Sequence, residues 1–249
     1  MKYTPYRPAP AAGGAARWTS RLLAAAEGKF GLLLVALVAL MGAAPLIPSP
    51  VSEAVLTLFT GAVLVASLHA ARPGGKPMAV GLALALADCL IGRCTVYFST
   101  RWFVLLQTVL WMTTLIYVTA TILRVIFASR AVTVETLLAA LCVFLLMGLF
   151  GAFAFTLIDL TFPGSFRASN GPGLVWADER SRATEFMRLF VFSYATLSGS
   201  SCAEVAPANG FARNAASLEA MIGQIYLAVV VARLGGLHVT PPPRDTADG

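Results

Sequence analysis

A chain of 249 residues, 58% hydrophobic and only 12% charged, with a mean hydropathy of +0.78, lies far from the roughly 25% charge of a soluble domain. That balance excludes an ordinary soluble fold and points to membrane integration. The net charge of +6 is modest, and no basic patch interleaves with aromatics on a polar surface, so nucleic acid is not an expected partner.

In chain order, residues 1–29 carry Pro5, Pro8, Pro10, Gly13 and Gly14 among Lys2, Arg7, Arg17, Arg21 and Lys29. They read as a cytoplasmic basic arm ending in a short interfacial helix at 17–28. The apolar run at 30–47 follows a leader too long for a signal peptide, and Pro45 disfavours cleavage after Ala44, so it reads as a retained first span. Further apolar runs follow at 52–71, 78–98, 102–126, 136–161 and 214–236. Each approaches the ~20 residues that a spanning helix needs. The third is the weakest, because Asp88 interrupts it and Gly92-Arg93 can end it early.

The expected fold is an all-α membrane protein with six transmembrane helices and a re-entrant pore helix and loop between the last two. The expected division is the arm at 1–29, a peripheral four-helix bundle at 30–130, a pore domain at 131–238 and a tail at 239–249. Lys and Arg in short loops set orientation. The arm, Arg72, Lys76, Arg124, Arg130, Arg233 and Arg244 fall on one side of six alternating spans, which places both termini in the cytoplasm. Segment 162–183 then becomes an external, Gly-rich polar turret.

Several isolated residues take structural readings. Cys89, Cys94, Cys142 and Cys202 lack disulfide or metal spacing, and the first three read as small buried thiols. Asp88 and Asp159 are expected to pair at span ends with arginines such as Arg93 or Arg101. Span four has Arg101 at its start and Arg124 near its end with nothing between, so it lacks a voltage sensor's arginine series. His69 and His238 sit at predicted cytoplasmic ends. Met112, Met147, Met187 and Met221 have ordinary core spacing.

Residues 185–238 hold the most informative pattern: a short amphipathic run, the small polar loop Ser198-Gly199-Ser200-Ser201-Cys202-Ala203-Glu204, Pro207, and a long apolar helix. Irregular backbone is tolerated at membrane depth only where protein buries it or where it lines a watery cavity. The pattern therefore outlines a re-entrant pore loop.

From Phe190 to His238 the chain resembles the pore domain of tetrameric potassium channels, especially small bacterial six-span members. Such proteins commonly read YFSFVTLTTVGYGDISP and then LEALIGQLYLAVLIARLVGLH. Here the chain reads FVFSYATLSGSSCAEVAP and then SLEAMIGQIYLAVVVARLGGLH. Thr196 and Leu197 match the end of the pore helix, Glu204 takes the place of the usual Asp, and Pro207 matches the proline. Gly223 falls where the inner helix carries its hinge glycine; it reads equally as a hinge or as a close-packing point. By the same resemblance Glu219 sits near the outer end of the inner helix and braces the filter by hydrogen bonding. The resemblance implies a bacterial inner-membrane protein and a homotetramer, or a tetramer with a homologous subunit. Monovalent cations and the lipid bilayer are the other implied partners, with no cofactor, metal or catalytic residue.

The filter departs from the family. In place of TVGYG stand Gly199, Ser200, Ser201, Cys202 and Ala203. Carbonyl ladders that replace an ion's water shell need left-handed backbone at two positions, here occupied by Ser201 and Ala203. At about 1–2 kcal/mol per residue, a tetramer would be strained by roughly 8–16 kcal/mol. The family's innermost threonine is replaced by Gly199, with Ser198 or Ser200 as the available substitutes. The expectation is a wider throat of Ser198, Ser200 and Ser201 hydroxyls behind an acidic ring of Glu204. Helix C-termini add partial negative charge toward the cavity. These terms favour cations and distinguish potassium from sodium weakly. A non-conducting relative used as a scaffold or sensor is the alternative. The Gly199–Ala203 run only superficially approaches a nucleophile elbow, which follows a strand, and no Asp-His pair is placed to serve it.

Overall fold

The protein is described by a computed structural model covering residues 29–43, 76–98, 101–128, 133–168, 171, 173–176, 179–200 and 204–238. The basic arm at 1–28, the apolar run at 52–71, His69, the loop residues Ser201, Cys202 and Ala203, and the tail from 239 lie outside the described residues.

The described chain is almost entirely helical. Helices α1 (Lys29–Ala43), α2 (Lys76–Phe98), α3 (Arg101–Ala128) and α4 (Val134–Thr161) precede strand β1 (Phe166–Ala168). Helix α5 (Glu179–Leu197), strand β2 (Val205–Pro207) and helix α6 (Gly210–His238) follow. Three helices are long and apolar enough to cross a membrane, over Arg101–Ala128, Val134–Thr161 and Gly210–Arg233. The described part of α1, Lys29–Ala43, has 15 residues and is about 22 Å long at 1.5 Å per residue.

Helix α4 is the hub and packs against α1, α3, α5 and α6. Its sequence is apolar on every side, the mark of a helix surrounded by protein or lipid. A reciprocal Thr133–Thr136 capping box starts it, satisfying two of the backbone donors left open at a helix N-terminus. Small residues Ala139, Ala140, Gly148, Gly151 and Ala152 let neighbours approach its backbone. Three of those neighbours bond its carbonyls directly. Tyr226 Oη donates to Ala140 at 2.7 Å, Tyr194 Oη to Leu145 at 2.6 Å, and Ser193 Oγ to Gly148 at 2.6 Å. A carbonyl oxygen has two lone pairs, so each can accept beyond its helical bond. Inside a membrane such bonds contribute about 0.6 kcal/mol each on average.

Two apolar clusters flank α4. One joins α1, α3, α4 and α5 through Leu33, Leu37, Leu115, Val118, Phe153 and Phe190, and so runs across residue 130, where the expected bundle meets the expected pore domain. An aromatic chain extends it, with Trp111 4.9 Å from Phe153 and Phe153 4.8 Å from Phe186. Such pairs add roughly 0.5–1.5 kcal/mol beyond area burial. The other cluster is a triangle of Phe155, Phe166 and Phe192, at 5.2, 5.3 and 5.7 Å, beneath β1 and β2. Met112, Met147 and Met187 pack against the first cluster, but Met221 is exposed.

Among the described residues, neither aspartate pairs with an arginine. Asp88 is buried and accepts from Thr114 Oγ1 at 2.9 Å, because α2 packs along α3 and brings that hydroxyl to it. Asp159 is fully buried and accepts the Phe166 amide at 2.9 Å and Trp176 Nε1 at 2.7 Å. It organises the segment after α4. Arg101 instead donates to the Leu160 carbonyl and Arg233 to the Ile126 carbonyl at 2.8 Å. Each fills an acceptor in the last turn of a neighbouring helix, where the helix itself supplies no donor.

Candidate functional site

Helix α5 begins at Glu179, inside the stretch assigned to the turret, and packs against both α4 and α6. Its stop is written in the backbone. Gly199 has φ +74, the Ser200 amide donates to Ala195 at 2.8 Å, and the Gly199 amide donates to Thr196 at 3.0 Å. This pair of bonds is the Schellman closure, in which glycine takes the left-handed position without steric cost. The position held by threonine in the resembled filter is therefore a helix terminator here.

The hydroxyls around that stop have partners within the chain. Ser198 Oγ and Ser200 Oγ lie 3.0 Å apart, and both donate toward the Ala195 carbonyl, at 3.1 and 3.2 Å. Thr196 Oγ1 donates to Phe192 one turn back at 2.8 Å. Ser198, Gly199 and Ser200 are all exposed. Of the residues expected to form the filter, the structure thus brings Ser198, Gly199 and Ser200 together at the end of α5, while Ser201, Cys202 and Ala203 are not among those described.

Glu204 re-enters the description beside α5. Its Oε1 is 3.5 Å from Arg188 Nε, with the two side chains 57% and 34% exposed. Arg188 also pairs with Glu185 at 3.1 Å. Within the chain, the acid expected in a ring at the mouth is one arm of a three-residue network. Beyond it, β2 pairs antiparallel with β1 in the register Phe166↔Pro207, Arg167↔Ala206 and Ala168↔Val205. Asn209 then caps α6 by accepting the Ala212 amide at 2.8 Å, and its amide donates to Ser165 at 2.8 Å.

Behind the loop, α6 crosses α5 at Gly223, where a Cβ would overlap the Leu197 carbonyl. The helix is unbroken there, so Gly223 serves close packing in this conformation. Gln224 reaches toward the loop, its Nε2 standing 2.9 Å from where a Cβ on Gly199 would lie. One turn earlier, Glu219 Oε1 contacts Ser193 Oγ at 2.6 Å. Its carboxyl meets α5 itself and not residues 198–200.

Sequence reasoning passed over Arg188, Ser193, Gly148 and Gly151. The i, i+3 spacing of Glu185 and Arg188 is a readable helix-face pair. Gly148 and Gly151 form a small-residue step in an apolar helix, a sign of close helix approach. Nothing in the sequence marked Ser193 as the hydroxyl that meets Glu219. Among the described residues no cluster of His, Cys, Asp or Glu could hold a metal ion.

Comparison with protein families, characterised proteins and solved structures found no match to this chain.

Proposed function

We propose that the chain is one subunit of a tetrameric, potassium-channel-like cation channel in the bacterial inner membrane. The observation that carries this reading is α5, a short helix seated against α4 and α6 and stopped by Gly199 so that a hydroxyl-rich loop begins at its end. In this reading α5 is the pore helix of a six-span subunit whose termini are cytoplasmic. Four copies of residues 198–204 line the pathway, and Glu204 draws cations to its mouth. Ser201 and Ala203 in place of filter glycines make discrimination between potassium and sodium weak. The exposed Leu218, Met221, Ile222 and Ile225 of α6 are then covered by lipid and by neighbouring copies.

The deciding experiment is flux in liposomes under separate potassium and sodium gradients. Comparable flux of both ions is expected, reduced in Glu204→Gln. Strict potassium selectivity would overturn the filter argument, and no flux at all would overturn conduction.

A second reading, a non-conducting scaffold or sensor that keeps the channel fold, has its own support. The Ala195 carbonyl at the end of α5 already accepts three donors, and Arg188 partly neutralises Glu204. Silent liposomes, unchanged by Glu204→Gln and by co-reconstitution with a homologous subunit, would favour it.

A further inference from the structure

Glu219, Ser193, Gly148 and Gly151 meet where α6, α5 and α4 join. Ser193 Oγ lies 2.6 Å from the Gly148 carbonyl oxygen and 2.6 Å from Glu219 Oε1. Both distances are those of strong O–H···O bonds. A serine hydroxyl carries one proton and a carbonyl oxygen none. One proton divided between two acceptors does not sustain two bonds this short. Ser193 therefore gives its proton to Gly148, and the proton in the other contact comes from the Glu219 carboxyl.

The surroundings agree with that count. Among the described residues, Glu219 Oε2 is buried with no hydrogen-bond partner. An ionised carboxylate presents about four lone-pair sites, and leaving a buried charge without partners is costly. From α4 the carboxyl faces Gly151, where a Cβ would overlap both the Glu219 carboxyl and the Ser193 hydroxyl. From α5 it faces Ser193 and the neighbouring phenol of Tyr194, whose hydroxyl is committed to Leu145. The cleft is cut to fit a carboxyl group and supplies it with one hydroxyl.

We propose that Glu219 is a proton-binding site inside the bundle: a neutral carboxylic acid that donates to Ser193, which in turn donates to Gly148. The bound proton completes a chain from α6 through α5 to α4. Its loss turns Glu219 from donor to acceptor, leaves Ser193 with two acceptors for one proton, and releases α5 from Gly148. This deepens the bracing role expected of Glu219 and does not depend on whether the chain conducts ions.

Infrared spectra of the full protein in lipid, compared with those of Glu219→Gln, test the site directly. Asp88 and Asp159 are common to both proteins and cancel in the difference. At neutral pH the wild type should show a carboxylic-acid C=O band that shifts in heavy water and is missing from Glu219→Gln. Ser193→Ala should move that band without removing it. A difference spectrum containing only carboxylate bands, or a band unmoved by Ser193→Ala, overturns the proposal. If Glu219→Gln does not fold, the Ser193→Ala comparison alone decides, by the presence or absence of a displaced acid band. A protein that passes no ions would leave this readout unchanged, so its failure and that of the channel reading are separable.

Discussion

Gly199 owes its place to one backbone angle. At φ +74 any side chain is strained by roughly 1–2 kcal/mol, and here a Cβ would also press on Gln224. Gly199→Ala should lower the melting temperature of the purified protein by at least that equivalent, and an unchanged melt would mean the Schellman closure is not part of the stable fold. Asp159 makes a second residue-scale case. It holds two N–H donors in a fully buried setting, and stranding such groups costs about 1–3 kcal/mol each. Asp159→Ala is expected to destabilise the protein and to shift the fluorescence contributed by Trp176 to the red, as its indole loses the carboxylate. Tested against Trp176→Phe to assign the signal, an unshifted spectrum would refute the contact. The sequence showed Asp159 only as an acid near a span end. Its partners come from the β1 amide and from Trp176, seventeen residues on, and the turn that folds them back has no local signature beyond Gly164 at φ +81.

At the scale of elements, the informative contact is α5 against α6. Gly223 allows it by presenting no side chain to the Leu197 carbonyl, and backbone at that point cannot yield as a flexible side chain could. Gly223→Ala should cost about 1–3 kcal/mol, as overpacking does, seen as a lower melting temperature. Gly223→Ala with full stability would instead favour a hinge role. The Arg188–Glu204 pair sits at the other extreme. Pairs this exposed contribute about 0–1 kcal/mol, so any lowering of the melt in Arg188→Gln should come mainly from its other partner, Glu185, whose side chain is only 10% exposed. In a conducting pore the same change should raise cation flux, by freeing the acid at the mouth, and more at low salt than at high salt. Helix α6 was legible because its apolar run is long, and α5 because a short amphipathic run precedes a small polar loop. Their ends were not: α5 starts at Glu179 within a polar segment, since charged residues such as Arg182 and Glu185 continue a helix as readily as they form a loop. The terminator at Gly199 was not legible because the same glycine also aligns with a filter motif.

Among the described residues, α4 packs against four other helices, whereas α6 leaves most of its apolar length exposed. Helix α6 turns Ala212, Ala216, Glu219, Gly223 and Tyr226 inward at alternating four- and three-residue steps, and exposes Leu218, Met221, Ile222, Ile225 and Val229. A stripe that narrow leaves most of the helix surface for lipid or for other copies. Native mass spectrometry from lipid nanodiscs is expected to give four subunits, and a stable monomer would remove the central pathway. The membrane character of the chain was plain from composition, and the packing order, with α1 and α3 both on α4, was not. Apolar helices look alike in sequence, and only the placement of small residues and lone hydroxyls decides which of them touch.

The β1–β2 pairing has a mechanical consequence. Residues 198–204 leave a helix stop at one end and enter a hydrogen-bonded ladder at the other, and that ladder is anchored through Phe166 to Asp159 at the foot of α4. A segment fastened at both margins cannot lengthen its span by unravelling from either side. In the proposed tetramer, dilation between copies would then have to come from movement of subunits relative to one another.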